Sequence, residues 1–143
     1  MIDCGLGHGI NEEYRLVQRT DLAYAMVPQE PIREGHILVV PKSHAKLENL
    51  TLAELDQIRN LIVEVKNRII QLFPTAPPYL YSVTDTPHAS IPDHFHFHLL
   101  PYEESLRTVL AQHSPSLARE RQKASVSELE RMALRLRPEI TSI

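Results

Sequence analysis

Residues 94 to 98 read His-Phe-His-Phe-His, a strict alternation of polar and aromatic side chains. Period two is the period of a β-strand, whose successive side chains point to opposite faces. His94, His96 and His98 therefore share one face, and Phe95, Phe97 and Leu99 the other. The aromatic face belongs to a core. The three imidazoles then stand in a row, roughly 7 Å apart along the backbone. The run His94–Leu100 is expected to be one strand, closed by Pro101.

Such a row supports two kinds of chemistry. A neutral imidazole attacks phosphorus to form a phosphohistidine, while its neighbours hydrogen-bond the phosphate oxygens and protonate a leaving group. Crowded histidines disfavour one another's protonation, which keeps one of them neutral and nucleophilic. Alternatively, the row chelates a metal, with Glu103 as a further ligand. A cupin-like barrel is the natural fold for that second reading. Only four glycines and one long helical pattern count against a barrel of many tight turns.

The helical pattern follows Thr51-Leu-Ala-Glu54, which has capping-box spacing. Leu52, Leu55, Ile58, Leu61, Ile62, Val65, Ile69 and Ile70 recur at helical intervals and are expected to face the core. Pro74, Pro77 and Pro78 end the helix. Upstream, Leu22–Val27 reads as a half-buried strand, with Tyr14–Val17 as its hairpin partner. His36–Val40 is a strongly β-prone run after Gly35. Downstream, Tyr79–Thr84 reads as a strand and Thr86–Asp93 as a loop. Ser125-Val-Ser-Glu128 is a second capping box, opening a helix to about Arg137 whose apolar side is Leu129, Met132, Ala133 and Leu136.

Hairpin-linked strands with a segregated helix make the fold class α+β: an antiparallel sheet of about five strands, one long helix and a C-terminal helix. At 143 residues the chain suits a single domain, 1–143, with a core over 12–101 and a tail over 102–143. A net charge of −3 argues against a nucleic-acid coat, and no apolar run is long enough to span a bilayer, so neither nucleic acid nor membrane is an expected partner. Met1–Ile10 carries Asp3 and no Lys or Arg, which is unlike a signal peptide, and with a single cysteine, Cys4, a reducing cytoplasmic setting is expected.

His94-Phe-His-Phe-His-Leu-Leu100 resembles the signature of the histidine-triad (HIT) family, and Pro101 also fits many members. A second match is Glu34-Gly-His-Ile-Leu-Val-Val-Pro-Lys-Ser-His44, similar to the family's Gly-His strand. The order of Leu22–Val40 and the capped helix is similar to the fragile-histidine-triad branch, and the resemblance spans residues 12 to 101.

The resemblance implies a compact α+β domain, usually a homodimer. It implies hydrolysis or transfer of a nucleoside monophosphate from a dinucleoside polyphosphate, a nucleoside phosphoramidate or a related compound. By position, His96 is the nucleophile, His94 and His98 flank it on the phosphate oxygens, and His36 is the additional histidine that supports them. No cofactor and no catalytic metal are implied. The expected partner is thus a nucleotide or nucleoside-phosphate small molecule. Ranked below the enzyme are a nucleotide-binding regulatory module with little turnover and the metalloprotein.

Three substrate-binding positions depart from the family pattern. Val27 and Pro28 stand where a polar residue usually grips the ribose. The amide of the penultimate strand falls at Val83 or Thr84. Ser90 replaces the Gln four residues before the triad, and its hydroxyl donates at shorter reach. Some branches hold a structural zinc through an N-terminal Cys-x-x-Cys and two histidines. Here Gly7 takes the second cysteine's place, so a set of Cys4, His8, His44 and His94 is an incomplete match.

Overall fold

The structure, a computed structural model, describes residues 13–83, 94–113 and 123–138. Its sheet is built from β1 (Leu16–Arg19), β2 (Ala23–Met26), β3 (Ile37–Pro41), β4 (Pro78–Tyr81) and β5 (Phe97–Pro101). All pairings are antiparallel, in the order β1-β2-β3-β5-β4. The long helix, α1 (Leu52–Leu72), lies in the connection between β3 and β4. This is the expected α+β architecture, an open sheet rather than a barrel.

Alternation assigns the faces. Ala23, Ala25, Ile37, Val39 and Leu99 join Ile58, Leu61, Val65 and Ile69 of α1 in one buried cluster, with Phe95 and Phe97 packed against it. Tyr24, Met26, Leu38 and Val40 form a second cluster on the opposite face. The sheet centre, β2 and β3, is thus buried on both sides, as a run of apolar and β-branched residues requires.

The capping box at Thr51 is present in both directions: Glu54 N–H donates to Thr51 Oγ1 at 3.1 Å and Thr51 N–H to Glu54 Oε1 at 3.0 Å. Ser43 Oγ also donates to Glu54, and these donors hold its carboxyl below the usual carboxylate range. Leu55, at 37% exposure, sits at the edge of the expected helical stripe, and two further members fall outside it, since Leu52 is 85% and Ile70 41% exposed. At about 100° per residue, both lie roughly 120° around the helix from Ile58.

Strand limits also differ from the sequence expectation. β1 begins at Leu16, because Glu13–Arg15 forms a 3₁₀ turn, and the hairpin connection is correspondingly shorter. β4 starts at Pro78 and its pairing ends at Tyr81. β5 begins only at Phe97: ahead of it, Phe95 N–H donates to Ala45 O at 2.7 Å, so the start of the histidine run is held by the loop after β3 instead.

Gly35 has φ +91°, and a Cβ there would lie 2.8 Å from both Phe73 Cε2 and Pro101 Cγ. The turn that delivers His36 is therefore wedged between the end of α1 and the end of β5, where only glycine fits.

The chain divides into two units, residues 1–103 and 104–143. The second contains α2 (Leu106–His113), which sequence periodicity did not reveal, and α3 (Val126–Leu136). Ser125 caps α3 as expected, accepting from Glu128 N–H at 3.2 Å. Among the described residues no helix is long and apolar enough to cross a membrane.

Candidate active site

The structure gathers His36, His94, His96 and His98. His36 immediately precedes β3, His98 sits within β5 opposite Leu38 and Tyr81, and His94 and His96 lead into β5. His36, His94 and His96 are buried, at 3%, 4% and 3% exposure. Buried imidazoles need hydrogen-bond partners, and these partners fix which nitrogen carries the proton.

His96 Nδ1 lies 3.0 Å from the carbonyl oxygen of His94. A carbonyl only accepts, so Nδ1 carries the proton, and a neutral His96 keeps its lone pair on Nε2. Likewise His94 Nε2 donates to Pro41 O at 3.0 Å. Ile32 N–H donates to His36 Nδ1 at 3.1 Å, which leaves the proton of a neutral His36 on Nε2. That Nε2 is 2.9 Å from His98 Nδ1. His98 must then accept at Nδ1 and hold its own proton on Nε2.

Burial, followed by the neighbouring His96 and His36, pushes the His98 pKa down to about 4. Burial also lowers those of His36 and His94. All three lowered values favour the neutral form at pH 7, the state that the hydrogen bonds of His36 and His98 require. The His96 and His98 rings meet edge-on with centroids 5.2 Å apart, closer than the backbone repeat because the side chains lean together.

In this arrangement a neutral His96 would present Nε2 as an acceptor, and His98 presents Nε2–H as a donor. His94, His96 and His98 each hold one ring nitrogen in a hydrogen bond to a protein partner, as metal-bound imidazoles also do, so the metal reading turns on whether enough ligands converge. Among the described residues, no group of three His, Cys, Asp or Glu side chains is arranged to hold a metal ion. Glu103, the further ligand of that reading, forms a two-point ion pair with Arg33.

The other expected site residues divide in two. Val27 and Pro28 follow β2, where Val27 N–H donates to Arg15 O at 2.8 Å and Arg15 Nε donates to Val27 O at 3.0 Å. These contacts tie Val27 to Arg15 rather than to the histidines. Thr84 and Ser90 lie outside the described residues, as do Cys4 and His8 of the zinc set. Its other two members, His44 and His94, have ring centroids 4.9 Å apart.

One aromatic neighbour escaped the sequence. Tyr81 lies flat on His98, with centroids 4.4 Å apart and planes 5° from parallel. Burial raises its pKa, so it remains a neutral phenol. Only the β4–β5 register shows this stacking, and no local motif encodes that register.

The HIT domain family model matches residues 11–105. An adenosine 5'-monophosphoramidase from Candida albicans is 28% identical over 110 residues, covering 72% of this chain and 70% of that protein. A histidine triad nucleotide-binding protein from the same organism shares the fold at a TM-score of 0.61 and 20% identity, over 94% of both chains. The diadenosine triphosphate hydrolase of Plasmodium falciparum aligns at a TM-score of 0.58 and 20% identity, over 71% of this chain and 72% of that one. With its family model spanning both the Gly-His strand and the complete triad, the chain belongs to the HIT family.

Proposed function

We propose that this protein is a nucleotide hydrolase or nucleotidyl transferase working through a phosphohistidine at His96. The observation that carries this reading is the hydrogen bond from His96 Nδ1 to the His94 carbonyl, which directs the lone pair to Nε2. In the proposed step, that lone pair forms an Nε2–P bond at the α-phosphorus. The bond from phosphorus to the leaving group breaks, and its electron pair departs with that group. His98 Nε2–H donates to a non-bridging phosphate oxygen, where negative charge builds up. Water then attacks the same phosphorus, the Nε2–P bond breaks with its electron pair returning to His96, and the water gives up a proton to solvent, which balances the proton that the leaving group takes from solvent.

The substrate class rests on the relatives: one is named a phosphoramidase and another a diadenosine triphosphate hydrolase. A nucleoside phosphoramidate or a dinucleoside polyphosphate is therefore the proposed substrate, with no cofactor.

Release of adenosine monophosphate from a panel of both compound types tests this. The wild type turns over at least one of them, and His96→Ala loses on the order of a thousandfold or more. Binding without turnover by either protein would instead favour the regulatory-module reading, with Pro28 at the ribose position as its cause.

A further inference from the structure

Two imidazoles that share one hydrogen bond have two ways to place the proton. Either His36 Nε2 donates to His98 Nδ1, or the reverse. A third group must break the tie, and Ile32 N–H does so, because a backbone amide only donates. If it were lost, His36 could carry its proton on Nδ1 and accept at Nε2. His98 would then donate from Nδ1 and turn a lone pair on Nε2 toward any bound phosphate, a repulsive contact.

The Ile32 amide sits in the short loop ahead of β3, and that loop has a specific anchor. Arg33 Nη1 is 2.7 Å from Glu103 Oε2, and Nη2 is 2.9 Å from Oε1. The same guanidinium lies 5.2 Å from the centre of the Tyr102 ring, which in turn stacks on Tyr79 at 6.0 Å. His36 N–H closes the turn onto Arg33 O at 3.2 Å. Glu103 lies two residues beyond β5, so the ion pair ties the loop ahead of β3 to the chain leaving β5, the two strands that the His36–His98 bond also links.

We propose that Arg33 and Glu103 are positioning residues: their clamp keeps the Ile32 amide on His36 Nδ1 and so holds the His98 proton on Nε2. This rests on the nucleotidyl-transfer reading above. A purely structural role fits less well. The pair is half-exposed, with side-chain exposures of 35% and 51%, and such ion pairs add little to stability. Ile32 as a residue is 64% exposed, and its described contact at the site is the amide hydrogen bond to His36.

The test compares wild type with Arg33→Ala, Glu103→Gln, Ile32→Pro (which deletes the amide proton) and the charge swap Arg33→Glu with Glu103→Arg. The readouts are the ¹⁵N shifts of the His98 ring, kcat, KM and the melting temperature. Wild type shows a single His98 tautomer protonated at Nε2. The three single variants show mixed tautomers, kcat falls roughly tenfold and KM stays within about twofold. The swap restores both tautomer and kcat. Arg33→Ala and Glu103→Gln alter only half-exposed side chains, so they decide the matter even if Ile32→Pro does not fold. An unchanged His98 tautomer in Arg33→Ala and Glu103→Gln overturns the proposal, whatever happens to kcat. If wild type turns over no nucleotide, the functional reading fails on its own, and the nitrogen shifts still judge the clamp.

Discussion

His98 is the residue at which the proton bookkeeping of the site is most exposed to experiment. Its folded pKa is about 4, against an ordinary 6.5, with burial as the main cause. Between those values the unfolded chain takes up a proton that the folded one refuses. The stabilisation is complete above pH 6.5 and is lost as pH falls toward 4, with an upper bound of about 3 kcal/mol from this residue. His36 and His94, also lowered by burial, act in the same direction. Urea unfolding should therefore show a lower midpoint at pH 5 than at pH 7, and His98→Gln should shrink that difference. An equal pH dependence in the variant would contradict the assignment. At this scale the four histidines were legible in the sequence, because strand alternation and the Gly-His motif both mark them. Tyr81, Ile32 and the Arg33–Glu103 pair were not, since each acts through a cross-strand or loop contact between residues far apart in sequence or through a backbone amide.

At the scale of elements, the turn at Gly35 joins helix, sheet and site. A methyl group added there meets Phe73 and Pro101 at 2.8 Å and requires φ +91°. Gly35→Ala is expected to cost about 2–4 kcal/mol by unfolding measurements, from backbone strain plus overpacking. A cost near zero would mean that the turn can relax. The long helix was readable to its ends, because the Thr51 box and the prolines after Phe73 punctuate it locally. The start of β5 was not: periodicity makes His94–His96 look like strand, but Phe95 pairs with the Ala45 loop instead. α2 was missed because Leu106–His113 buries none of its residues and its hydrophobic pattern is short.

At the scale of the whole molecule, the sheet order β1-β2-β3-β5-β4 follows from three sequential antiparallel pairings, β1–β2, β2–β3 and β4–β5, and a helical connection that carries the chain from β3 to the edge strand β4, so that β5 fills the place beside β3. The class of fold was legible from that succession of elements, whereas the neighbour relation of β3 and β5 depends on long-range packing. In α3, Val126, Leu129, Met132 and Leu136 are 79%, 54%, 43% and 86% exposed. The family resemblance leads to the expectation of a homodimer, and sedimentation equilibrium checks it: a dimer mass supports that expectation, and a monomer at micromolar concentration contradicts it.

The central claim is that His96 Nε2 becomes covalently bonded to phosphorus. Mass spectrometry of the protein quenched during turnover of an adenosine phosphoramidate tests it most directly. An adenylyl group on the peptide bearing His96, absent from His96→Ala, is the predicted result. Turnover by the wild type with no adduct on that peptide, or undiminished turnover by His96→Ala, would contradict it.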